Sequence, residues 1–225
     1  MNVLSSIMGL IRGTRDKETG IGVGNEGDVM VSNFLPKYAR LAAEGRIWKA
    51  QEANAGSASV VALPTTAGLF TIGNNEPDDG LWYVVLAAYA FNVANAAAID
   101  SFSLVGCVSQ LPAVTGGLAV TMAQDQAKTT IKSMGGIRGG GYNGRAILDT
   151  GVTITDDVWF PLGPSSGSTG VASAAGAAVF NWMHGLIILP PKTLLGLVSV
   201  ATSTSNTTNK GIIYAEVPKN YLLAA

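Results

Sequence analysis

Few side chains in this sequence can do chemistry. Its 225 residues include one cysteine, Cys107, and one histidine, His184. A Cys/His zinc site needs four such ligands, so a single chain cannot build one. One cysteine also precludes an intrachain disulfide, which fits a cytosolic assembly environment better than a stapled secreted domain. Any nucleophile activated by an imidazole would depend on His184. That residue lies between Met183 and Gly185 in an apolar run, which predicts a hydrogen-bonded structural histidine within a strand. Cys107, between Gly106 and Val108, reads as a buried, inert thiol.

The carboxylates offer little more. Asp78-Asp79 and Asp156-Asp157 are adjacent pairs. Neighbouring strand residues point to opposite faces, so neither pair makes a two-carboxylate site within a strand. No EF-hand spacing accompanies them, and turn formation accounts for both. A glycosidase needs two carboxylates across a cleft; Glu52, Glu76 and Glu216 are the residues on which to test for one, but the sequence pairs none of them. Asn206-Thr207-Thr208 matches a glycosylation sequon, in a Ser/Thr/Asn-rich stretch where such triplets arise by chance. The reading is of a non-enzymatic protein with no cofactor and no metal.

The glycine-dense segment from Gly135 to Arg145 lacks the Lys-Ser/Thr step and the following helix of a phosphate-cradling loop. Arg138, Tyr142 and Arg145 within it could touch nucleic acid by stacking and charge. The chain as a whole, with 14 basic and 15 acidic residues and a net charge of -1, excludes charge-driven binding of polyanions. The segment is therefore expected to be a loop at a sheet edge or a subunit contact.

The elements that must position these residues are strands. Hydrophobic residues make up 48% and charged residues 13%, about half the usual charge, which excludes a disordered chain. No apolar run is long enough to span a bilayer as a helix, and no membrane association is expected. Short apolar runs recur from Ile47 to Val217, separated by Gly73-Asn74-Asn75, Pro77-Asp78-Asp79-Gly80, Gly163-Pro164 and Pro190-Pro191. Many short strands at such spacing predict an all-β fold, an antiparallel β-sandwich. The runs Leu81–Leu86 and Val179–Leu189 are apolar on both faces, so both faces need a cover. A homo-oligomer would supply it by closed symmetry.

Ahead of the sandwich domain, residues 47–225, the chain divides in two. Residues 1–28 read as an anchoring arm and a Gly-rich linker. Leu4, Ile7, Met8 and Ile11 fall at the spacing of a short amphipathic helix, and Arg12 to Asp28 reads as a flexible tether. No basic residue precedes the apolar stretch and Gly9 interrupts it, against a signal peptide. Residues 29–46 read as a short helical lead-in, with Pro36 near a first turn. Charge is segregated: from Ala50 to Ala127 there is no Lys or Arg, while both flanks are net basic, a distribution that suits head-to-tail contacts between identical chains.

Three stretches carry a resemblance. They are F-L-P-K-Y-A-R-L-A-A-E-G-R at 34–46, W-F-P-L-G at 159–163, and I-L-P-P-K-T-L-L-G-L at 188–197 closed by Y-A-E-V-P at 214–218. In this order they resemble small virion structural proteins of tailed bacteriophages, over roughly residues 34 to 218. The resemblance implies a jelly-roll-like sandwich on the particle, such as a head decoration or cement protein, a head fibre base or a tail component. It also implies a homotrimer, assembled in the host cytoplasm, whose arm (Leu4, Ile7, Met8, Ile11) docks on the major capsid protein or another virion protein. The alternative is a carbohydrate- or receptor-binding sandwich of a fibre or tail. Trp48, Trp82, Trp159 and Trp182 mostly lie in apolar strands and read as core rather than as sugar platforms.

Overall fold

A computed structural model describes residues 21–23, 29–31, 38–52, 55–64, 67–68, 70–95, 100–110, 131–134, 145–149, 152–153, 158–168, 177–219 and 222. The chain forms two compact units, residues 1–40 and 41–225. In the first, β1 (Ile21–Val23) and β2 (Val29–Val31) pair as an antiparallel ribbon. They lie within the stretches read from sequence as linker and helical lead-in. The one helix described in the lead-in is α1, the five residues Ala39–Ala43. Leu4, Ile7, Met8 and Ile11 lie outside the described residues, as do Arg138 and Tyr142.

The second unit is a sandwich of two antiparallel sheets. One sheet runs β14-β7-β16-β3-β9, formed by Ala178–Leu189, Leu81–Asn95, Asn206–Pro218, Ile47–Gln51 and Ile131–Ser133 in that order. The other runs β10-β6-β15-β8-β12, formed by Ala146–Asp149, Phe70–Asn74, Thr193–Ala201, Asp100–Gln110 and Phe160–Pro161. Two of four small strands extend these ladders, and the other two pair with each other. β4 (Ser57–Ala58) pairs with β16, β13 (Ser166–Ser168) pairs with β8, and β5 (Ala67–Gly68) pairs with β11 (Val152–Thr153).

The connectivity is that of a jelly roll. Taking β3, β6, β7, β8, β12, β14, β15 and β16 in chain order, the first strand pairs with the last, β3 with β16. The second pairs with the seventh, β6 with β15. The third pairs with the sixth, β7 with β14, and the fourth with the fifth, β8 with β12. A long antiparallel hairpin has been rolled so that its arms alternate between two sheets. The ladders β7–β16 and β8–β15 then close the roll.

Composition explains where the strands meet. Aromatic and β-branched residues pack well on a pleated surface, and the inner faces carry Phe70, Ile72, Tyr83, Phe102, Leu195 and Tyr214, all essentially without exposure. Tyr83 and Tyr214 meet across neighbouring strands with ring centroids 5.1 Å apart. Cys107 is buried, as its apolar setting predicts. The turn before β7 is closed by Gly80 N donating to Pro77 O at 2.7 Å, with Asp78 and Asp79 exposed on it. Between β4 and β5 the chain makes a single parallel bridge, Val60 with Val200, and Val61 and Leu63 are exposed.

One side chain clasps the two sheets together at the end where β6 stops. Asn74 is fully buried. Its Nδ2 donates to the carbonyls of Leu81 (2.9 Å) and Leu189 (2.8 Å), at the start of β7 and the end of β14. Its Oδ1 accepts the Glu76 amide at 3.0 Å, and its carbonyl accepts from Lys192 N at 2.8 Å.

Candidate interaction surface

β14 is an edge strand, and its even-numbered residues from Ala178 to Leu186 are exposed while Val179, Ile187 and Leu189 are buried. Opposite it on the outer face, Tyr89 pairs with Phe180 in register. Tyr89 is held flat because Gly211 lies beneath it. A Cβ at that glycine would come within 2.5 Å of the Tyr89 Oη and 2.7 Å of the Ala50 carbonyl. The Tyr89 hydroxyl donates to Gln51 Oε1 at 3.1 Å, and burial pushes its phenol pKa above the ordinary value. From this fixed ring a ladder runs outward. Phe180 stacks on Tyr89 at 6.0 Å, Trp182 meets Phe180 edge-on at 5.2 Å, and His184 stacks on Trp182 at 6.0 Å and 13°. Such pairs add stability beyond their burial.

The ladder ends in an excursion. β14 pairs through Trp182 with Ala87 and resumes at Ile187 with Val85. The residues between them therefore have no ladder register. His184 and Gly185 have φ of 50° and 84°, the left-handed region that tight reversals use. Leu186 follows at 85% exposure. With Phe91, Phe180 and Trp182 at 37, 48 and 55% exposure, it forms one apolar strip. Asn181, on the other side of the strand, donates its Nδ2 to the Leu162 carbonyl.

These positions correct two expectations. His184 lies within β14 as expected, but it is exposed and stacked on Trp182 rather than set among apolar neighbours, because the positive φ at His184 and Gly185 breaks the ladder there. Trp182 is a surface platform rather than core, because even positions of β14 face outward. The signal for both was Gly185, since a glycine inside a strand pattern marks an irregularity. Arg145 is exposed just before β10, where its carbonyl accepts from the Asn75 amide at 3.3 Å.

Gly211→Ala should lower stability by about 1–3 kcal/mol through overpacking, each kcal/mol lowering Tm by roughly 2–4 °C. It should also loosen the ladder, since Tyr89 must lift. A melting curve together with near-ultraviolet circular dichroism of the aromatic bands checks both.

A second cluster lies inside the sandwich at Lys210, the residue before Gly211 on β16. Lys210 Nζ sits 3.0 Å from Glu52 Oε2, with the two side chains at 0% and 3% exposure. Nζ also donates to Ser57 Oγ at 2.7 Å and to the Thr208 carbonyl and hydroxyl, each at 3.3 Å. Thr208 continues the chain to Ser199 (2.7 Å) and Ser199 to Ser59 (2.9 Å). Burial lowers the Lys210 pKa, and the Coulombic attraction and hydrogen bond of Glu52 oppose that shift. The enclosed pair ties β16 to the end of β3. Glu76 and Glu216 are buried as well. Asn206 of the sequon is completely enclosed at the start of β16, so the folded chain offers it to no glycosylating enzyme. Among the described residues no cluster of three His, Cys, Asp or Glu could hold a metal ion.

No protein-family model matches the chain, and no curated protein matches it. Among solved structures it is similar to a chain of the native virion of Kashmir bee virus at acidic pH, with 11% identity, 85% of this chain and 86% of that chain covered, and a TM-score of 0.18. The jelly-roll assignment rests on the strand pairing and takes nothing from that likeness.

Proposed function

We propose that this chain is a non-enzymatic structural component of a virus particle. The observation that carries the reading is the exposed, uncharged apolar strip on β14. Contiguous apolar patches of this kind mark interaction sites. Jelly rolls serve both as capsid domains and as lectins, so the architecture is an analogy here and the site must decide. The finer placement follows the sequence resemblance: a decoration, cement or fibre-base protein of a tailed phage, homotrimeric, anchored on the particle by Leu4, Ile7, Met8 and Ile11.

The test removes residues 1–20, which spares the β1–β2 ribbon. Four apolar side chains at roughly 1.5–3 kcal/mol each outweigh part of the cost of ordering a segment. Co-sedimentation with empty shells should therefore fall at least tenfold while the melting temperature stays unchanged. Full retention on shells would place attachment on the sandwich, and loss of folding would assign the segment to the core.

A second reading has one observation in its favour. Trp182 is more than half exposed and stacked on its neighbours, as sugar platforms are. It makes the chain a glycan-binding sandwich, and a glycan array read with the native chain and with Trp182→Ala tests it.

A further inference from the structure

We propose that the β14 strip is a self-association surface, covered in solution by the same strip of neighbouring copies of this chain around a symmetry axis. The inference deepens the assembly reading above and rests on it.

The charge pattern points to a copy as the occupant. β7 and β14 together contain no Asp, Glu, Lys or Arg. An uncharged surface can bury itself against its own image without stranding a charge or setting like charges opposite one another, which is what a symmetric contact demands. The size is right for the centre of such a contact. At 150–250 Å² per aromatic side chain, the exposed fractions of Phe91, Phe180, Trp182 and Leu186 leave on the order of 400 Å². That is about half of the roughly 800 Å² each partner buries in a standard interface, and an aromatic centre with a polar rim is the usual anatomy.

The excursion at His184-Gly185 sets the manner of contact. An uninterrupted edge of twelve residues would invite another strand to add to it without limit. Here the ladder is broken between Trp182 and Ile187, so open-ended strand addition is blocked and Leu186 is pushed outward instead. Contact is then made by side chains, and a closed ring satisfies it.

The polar groups nearest the ladder argue against a sugar. Recognition of hydroxyls needs donors and acceptors beside the stacking ring. Tyr89 already gives its hydroxyl to Gln51, and Asn181 lies on the other side of the strand, which leaves the His184 ring as the polar group on the ladder itself.

The experiment is sedimentation equilibrium of the full chain at micromolar concentration, beside a Trp182→Ser/Leu186→Lys double variant and a glycan array. The native chain should sediment at a small multiple of 23.1 kDa. The variant, with two central anchors removed and like charges facing across the axis, should dissociate at least a hundredfold more readily. Its melting temperature at a concentration where both proteins are monomeric should fall by only a few degrees, the cost of the two ring contacts of Trp182. A native monomer that binds a glycan through Trp182 overturns the proposal in favour of the second reading. A native oligomer that the double variant leaves intact also overturns it, while the assembly reading survives on another surface. A native monomer that still co-sediments with shells separates the two in the same way.

Discussion

Lys210→Met should destabilise the fold by about 3–5 kcal/mol, the usual result of removing one partner from a buried ion pair. The side chain it leaves behind is the reason. Glu52 is 3% exposed, and without Nζ its Oε2 keeps, among the described residues, the Lys210 amide at 3.3 Å. Ser57 and Thr208 lose the donor they share. Glu52→Gln combined with Lys210→Met should recover most of the loss, since two neutral groups of similar volume need no compensation. Guanidinium unfolding of the two single variants and the double variant checks this as a cycle. A double variant no more stable than Lys210→Met would show that shape, and not charge, sets the cost. The pair also has a signature in pH. The unfolded chain keeps Lys210 protonated up to its ordinary value of 10.5, whereas the folded chain releases that proton at lower pH. Between the lowered folded value and 10.5 the unfolded state binds more protons, so this residue's contribution to stability rises with pH. Subtracting the pH profile of Lys210→Met from that of the native protein isolates the rise.

Asn74→Ala should cost nearly as much, about 3–5 kcal/mol, at the top of the range for single substitutions. Two carbonyls in the interior lose their donor and the Glu76 amide loses its acceptor, and each buried orphan costs roughly 1–3 kcal/mol. Asn74→Asp is the sharper control. It conserves volume but sets a carboxylate oxygen against the carbonyls of Leu81 and Leu189, so it should be at least as damaging as alanine. Urea titration of both variants distinguishes lost hydrogen bonds from a lost volume, which would leave the aspartate variant near native.

The sequence made the class of fold legible because hydrophobic alternation and turn residues are local. The runs around Leu81, Val179, Leu194 and Gly211 were readable as strands for that reason. Partners are not local, and here the reading stopped. Asn74 stood out only as one of three turn-type residues, because its acceptor Leu189 lies 115 positions away. Lys210 was one basic residue among seven in the C-terminal part, with nothing near it to point to Glu52. The two-sided apolar character of Val179–Leu189 was visible and called for a cover. Its exposed side was nonetheless misjudged at Trp182, since tryptophan in an apolar run looks the same whether it faces the interior or the water. The pairing of β14 with β7, and the break in it, decide that direction.

The rolled pairing, first strand with last, also governs how the chain can be made. β16 lies between β7 and β3, the central place in its sheet, yet of the described strands it emerges from the ribosome after all the others. Until it does, β3 has no long partner and the inner edge of β7 stands open along much of its fifteen residues. Nascent strands with open edges are the species that aggregate. Contacts between residues so far apart in sequence place the domain among the slow folders, on millisecond-to-second scales. Translation thus holds the sandwich in a vulnerable, half-rolled form until β16 is available to fill the gap between β7 and β3.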